Sequence, residues 1–208
     1  MVKDEDGSFH IAMSDSPDYR ALPAAVERVI PVLRRAAFIG FWVQIVLAVI
    51  AGLIFLFSVP LAFPSGDLEA VQLNPGTGPG IFFALGGLVA LGLSIYWTSR
   101  YNRMAVDLAS PDPQTRPRRA DTIKVVENGL IINLVGTFFS LLAAETITGT
   151  LLAKALQSQG VVLSANARLN QFIQPLDIFV VLGNTHTLVA HFAGTVTALW
   201  LLRWIHRS

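Results

Sequence analysis

Residues 36–59 read AAFIGFWVQIVLAVIAGLIFLFSV, a run without a single charge in which Gln44 and Ser58 are the polar side chains. A helix of about 20 mostly apolar residues crosses the ~30 Å hydrocarbon layer of a bilayer. Three more stretches of the same kind follow. Residues 80–97 hold only Ser94 as a polar group. Residues 129–142 are nearly as clean and continue to residue 152 with one charge, Glu145. Residues 178–202 carry no charge, only Asn184, several threonines, His186 and His191. Charged residues make up 14% of the 208, against about 25% in an average soluble domain, and they crowd between these stretches. The pattern predicts an all-α integral membrane protein, a four-transmembrane-helix bundle with spans at about 36–61, 80–100, 122–156 and 176–205.

The flanks set the organisation. A polar tail over residues 1–22 precedes a single membrane domain over 23–208. In residues 23–35, Val26, Val29, Ile30 and Leu33 fall at helical spacing opposite Glu27, Arg28, Arg34 and Arg35. This predicts an amphipathic helix in the interface, interrupted at Pro31. The first loop, about 60–79, is rich in Pro and Gly and is expected to be irregular. Asp121 is placed to cap the third helix and Pro175 to open the fourth. Residues 157–174 carry one charge, Arg168, and enough apolar side chains to rest partly in the interface.

Charge asymmetry predicts orientation. Thirteen of the 15 Lys and Arg residues precede span one, lie around loop two or follow span four. The positive-inside rule therefore puts both termini in the cytoplasm. Trp42, Trp97, Trp200 and Trp204 lie towards that same side, where interfacial indoles are expected. A net charge of +1 gives no reason to expect a nucleic-acid partner, and the absence of cysteine excludes disulfides and thiolate sites. The acidic start Lys3-Asp4-Glu5-Asp6 is unlike a signal or transit peptide.

Lipid gives one helix no hydrophobic reason to seek another, so small residues and hydrogen bonds must supply the contact. Span one carries Ala36, Gly40, Gln44, Ala48 and Gly52 at four-residue spacing. Span three carries Asn133, Thr137, Ser140 and Ala144, and span four Ala190, Gly194 and Ala198. These read as packing faces. Glu145, Asp177, Asn184, His191 and Gln44 are candidates for a polar or ion pathway, since ionisable groups inside spans are costly unless they are paired or functional. Asp177, Asn184 and His191 recur every seven residues and share one face, whereas His186 and His191 point about 140° apart. Glu145 and His191 could hold a divalent metal such as iron through oxygen and imidazole, relay protons, or form a buried hydrogen-bonded lock. No phosphate loop, nucleophile motif or HExxH is present, so neither an enzymatic reaction nor a cofactor is expected.

Certain segments resemble a known family. They are Arg34-Arg35 followed by Gly40-Phe41-Trp42-Val43-Gln44, Pro117-Arg118-Arg119-Ala120-Asp121, Asn128-Gly129 to Asn133, and Gly149 with Leu152-Ala153-Lys154-Ala155-Leu156. Leu176-Asp177-Ile178-Phe179-Val180, Thr187-Leu188 and His191-Phe192 continue the series. In order and spacing, over residues 30–205, they are similar to the Tic-twenty-one family of cyanobacterial and plastid membrane proteins, also called permease in chloroplasts. The resemblance implies four spans and a photosynthetic lineage, with a cyanobacterial plasma or thylakoid membrane as the expected location. It also implies one of two activities proposed for that family, iron permeation or a part in protein import across the inner envelope. In the family an amide is common at the position of Glu145, and an Asn is frequent at that of His186.

Together these readings predict a transport-related membrane protein in the lipid bilayer, with iron or another divalent metal as cargo and a homo-oligomer or membrane complex as its working form. The alternative is a non-transporting structural or assembly subunit, including a protein-translocation component.

Overall fold

Hydrophobic length alone accounts for the architecture. A computed structural model describes residues 24–62, 77–161 apart from 111, 113 and 115, and 173–207. Four helices fill these segments: α1 (Ala24–Ala62), α2 (Thr77–Leu108), α3 (Arg119–Val161) and α4 (Pro175–Arg207). Each is long and apolar enough to cross a membrane, and no strand occurs among the described residues. The chain is thus an all-α, four-helix membrane bundle. The polar tail and the centres of the first and third loops, residues 63–76 and 162–172, lie outside the described residues.

The helices run up and down around the bundle. α1 packs on α2 and α4, and α3 packs on α2 and α4. Gly40 meets Thr197 at one end of the α1–α4 seam, and Gly183 meets Ile54 and Phe55 at the other. These two helices are therefore antiparallel. Along α2–α3, Gly80 lies against Ile147 and Tyr101 against Gly129, again antiparallel.

Packing follows a seven-residue repeat. On α3 the buried positions are Thr122, Val126, Gly129, Asn133, Gly136, Ser140, Ala143 and Ile147, steps of four and three in strict alternation. On α2 the same alternation runs from Ala84 to Leu108, with Ala90 buried besides, and on α4 from Asn184 to Ile205, with Ala190 buried besides. α1 repeats it in Ala37, Gln44, Ala51 and Ser58. Such spacing keeps one seam facing the neighbours along the full length of a helix. The remaining faces carry the large apolar side chains that lipid solvates, such as Phe57, Phe82, Val89 and Phe192, all more than 60% exposed.

Three local expectations change. α1 runs without a break through Pro31, so the amphipathic segment continues span one rather than forming a separate interfacial helix. The missing N–H would have bonded the carbonyl of Glu27, in the first turn, so the lost bond lies near the helix end. Asp121 is not the cap of α3: the helix begins at Arg119, and the N–H groups of Asp121 and Thr122 bond the carbonyl of Arg118. Asp121 lies in the first turn, where a carboxylate suits the helix dipole. α3 reaches Val161, so the first residues expected in loop three are helical. Pro175 does open α4.

Candidate functional site: a polar layer at the centre of the bundle

Each span contributes a polar side chain at one level. Gln44 is the middle residue of the span Ile30–Ser58, and His191 the middle residue of Pro175–Arg207. Ser94 sits at the middle of Pro79–Leu108. Asn133 of α3 joins them, and all four are at most 1% exposed. Backbone and side-chain polar groups at this depth must bond within the protein, because lipid offers them nothing.

Asn133 Oδ1 is the hub. Gln44 Nε2 donates to it at 3.1 Å and to Ser94 Oγ at 2.8 Å, with a longer contact to the Ala190 carbonyl at 3.4 Å. Ser94 Oγ donates to the same Asn133 oxygen at 2.8 Å. Thr98 Oγ1 donates to Gln44 Oε1 at 2.9 Å. Asn133 Nδ2 donates to the Gly129 carbonyl one turn back. The His191 ring lies with Nε2 3.0 Å from the Gly87 carbonyl and Nδ1 3.2 Å from Asn133 Oδ1. Both ring nitrogens face oxygen acceptors, so a neutral ring satisfies one of them and an imidazolium satisfies both.

Glycine makes the room. A methyl at Gly136 would lie 2.1 Å from the His191 ring, and one at Gly194 would lie 2.3 Å from Gln44 Nε2 and 2.4 Å from Asn133 Oδ1. Two of the network's contacts therefore exist only because these positions lack Cβ. A second tier lies one to two turns away. Asn184 Nδ2 donates to the Ser140 carbonyl at 2.9 Å, and Thr187 donates within its own helix. Ser140 Oγ and Asn184 Oδ1 are buried without a protein partner.

Apolar plugs close the layer at both ends. Towards the arginine-rich end lie Leu33, Ala37, Tyr101, Val126, Leu201 and Ile205. Towards the other lie Phe55, Ile81, Ala84, Ala143, Ile147 and Val180.

The site residues expected from the sequence divide accordingly. Gln44, Asn133, Asn184 and His191 come together in the core, with Ser140 and Gly194 beside them. Glu145 does not join them. Ala143 and Ile147 are the buried positions of that turn, and Glu145, two residues from Ala143, points about 200° away, onto the exposed face. It lies nine residues, about 14 Å, beyond Gly136, near the edge of the hydrocarbon. Glu145 and His191 therefore form no shared metal site. Among the described residues no three His, Asp or Glu side chains cluster in a way that could hold a metal. Asp177 serves a joint instead. Its carboxylate accepts Lys154 Nζ at 2.9 Å on both oxygens and the N–H of Gln174, the residue before α4. It thus caps α4 and ties it to the end of α3. His186 bonds the Leu182 carbonyl of its own helix. Gly40 is a true contact, whereas Gly52 has nothing within 4 Å of where a Cβ would stand, and Ala48 is half-buried.

Comparison with known proteins places the chain. The sequence profile of a family described as "Protein of unknown function (DUF3611)" matches residues 23–206. Protein TIC 21, chloroplastic, of Arabidopsis thaliana is 34% identical over 187 residues, which cover 86% of this chain. The chain spans 58% of that relative's length. No solved structure matches. The chain belongs to the DUF3611 family, the Tic-twenty-one-like group that its motifs resemble.

Proposed function

We propose that this chain serves a membrane transport or translocation system as a closed helical subunit, and that cargo does not pass through the core of a single bundle. The observation that carries this reading is the central polar layer, bonded chiefly to itself and capped by an apolar plug on each side. A conducting path needs polar, hydrated groups continuous from face to face, and inside the four helices these groups stop at the plugs. Any transport would therefore run along a seam with a partner protein, which liposomes of the purified chain lack.

Permeation of a divalent metal, the cargo expected from the sequence, is one of the two activities that the family resemblance implies, and it makes a different demand. It needs acids and imidazoles facing a wet cavity, whereas His191 is enclosed by Gly136, Asn133 and the Gly87 carbonyl, and Glu145 stands on the outer face. The test is uptake of ferrous and manganous ions by the purified protein in liposomes. Uptake is expected at the rate of protein-free vesicles for the parent, Glu145→Gln and His191→Asn alike. Saturable uptake by the parent that is lost in either variant, at unchanged melting temperature, would establish the permease instead.

A further inference from the structure

The α1–α2 seam is the loosest between neighbouring helices in the bundle, and at the arginine-rich end it opens into a groove of about 260 Å³. One wall is Ala37, Phe38, Phe41 and Trp42 of α1; the other is Thr98, Ser99 and Asn102 of α2. The aromatic wall is held edge-on, with Trp42 against both Phe38 and Phe41. Two of the polar groups on the opposite wall are already engaged, Thr98 with Gln44 and Ser99 with the Tyr96 carbonyl. The groove therefore presents an apolar trough with the Asn102 amide towards its mouth.

Helix register sets two guanidinium groups at that mouth. Arg34 is three and four residues before Ala37 and Phe38, so it continues their stripe, and Arg103 is four residues after Ser99. Both are exposed, and neither forms an ion pair among the described residues. Arg34 lies ten residues, about 15 Å, from Gln44, and Arg103 nine residues, about 14 Å, from Ser94. Half of the ~30 Å hydrocarbon layer is the same distance, so both charges stand at phosphate level while the aromatic wall stands at acyl-chain level. No acid lies on α1 between Ile30 and Ser58; Asp107 is one turn further out than Arg103 on α2.

We propose that this groove binds one anionic phospholipid, its acyl chain along Phe38, Phe41 and Trp42 and its phosphate between Arg34 and Arg103. Basic sites between spans take anionic headgroups in this way, and the trough gives the acyl chain a place beside the headgroup.

The full chain, purified in neutral detergent, is titrated with brominated phosphatidylglycerol or brominated phosphatidylcholine, and tryptophan quenching is read. Subtracting the Trp42→Phe signal isolates Trp42 from the other three indoles. The anionic lipid is expected to quench Trp42 at a concentration about tenfold lower than the zwitterionic one. Arg34→Gln with Arg103→Gln should abolish that preference, and Arg207→Gln, at the same end on α4, should keep it. Ser99→Phe, which fills the trough and leaves both arginines, should abolish it too. Equal quenching by the two lipids, a preference that survives the double variant or Ser99→Phe, or its equal loss in Arg207→Gln, would overturn the proposal. If the double variant fails to fold, Ser99→Phe decides.

Discussion

Asn133 Oδ1 faces Gln44 Nε2, Ser94 Oγ and His191 Nδ1 at one oxygen, so the smallest crowding near it is felt by all four helices. Membrane hydrogen bonds average about 0.6 kcal/mol and reach about 1.7; their loss is modest one at a time and larger when a single methyl displaces several. Gly136→Ala and Gly194→Ala are each expected to cost about 1–3 kcal/mol, the usual penalty of overpacking, read as a lower melting temperature in detergent. Gly92→Ala is the control. It lies in the same membrane region with nothing within 4 Å and should change stability by no more than about 0.5 kcal/mol. The amides and His191 could be read in the sequence because such groups are rare in apolar runs. Ser94, Thr98, Gly87 and Gly136 could not, because small hydroxyls and glycines are common in membrane helices and carry no mark of their partners. Only the positions they share in the seven-residue repeat would have pointed to them.

On α1, residues four apart do not stay on one face. Each step of four advances 400°, so the stripe from Ala36 to Gly52 drifts by about 160° in four steps, whereas a step of seven drifts by about 20°. This is why Gly40 and Gln44 are buried, Ala48 is at the margin and Gly52 faces open space. The existence and length of the helix are plain from hydropathy; its contact face follows steps of seven rather than the steps of four that its small residues suggest. In span three Asn133 and Ser140 of the expected face are buried, while Thr137 and Ala144 are half-buried beside the buried Gly136 and Ala143. Two adjacent residues give the sharpest check. Ala51 is fully buried, and Ala51→Leu should lower stability by about 1–3 kcal/mol. Gly52→Leu should melt like the parent or slightly higher, since leucine is the better helix former. Equal effects at both positions would refute the repeat.

In the whole molecule, the α2–α3 turn and the end of α4 share one end of the bundle, joined where the Arg119 guanidinium donates to the Ile205 carbonyl. The joint between Lys154 and Asp177 marks the opposite end. The chain has no cysteine, so single thiols introduced at Gln114, Arg207 and Gln174 report position without background. The first two should react with an impermeant maleimide from one face of sealed vesicles and the third from the other. Labelling of Gln114 and Gln174 from the same side would rule out the up-and-down bundle. The polar layer has a further consequence, for biogenesis. Helices that pack on a plain repeat of small and apolar residues can slide by seven positions, about 10 Å, and find a similar seam again. Were α1 to dock one repeat out of step, Ala51 would stand where Gln44 belongs, and Gln44 would enter the apolar plug beside Tyr101 and Leu201, away from Ser94, Thr98 and Asn133 that bond it in register. A misthreaded span would thus be rejected by a single stranded amide, and the layer acts as the proofreader of assembly.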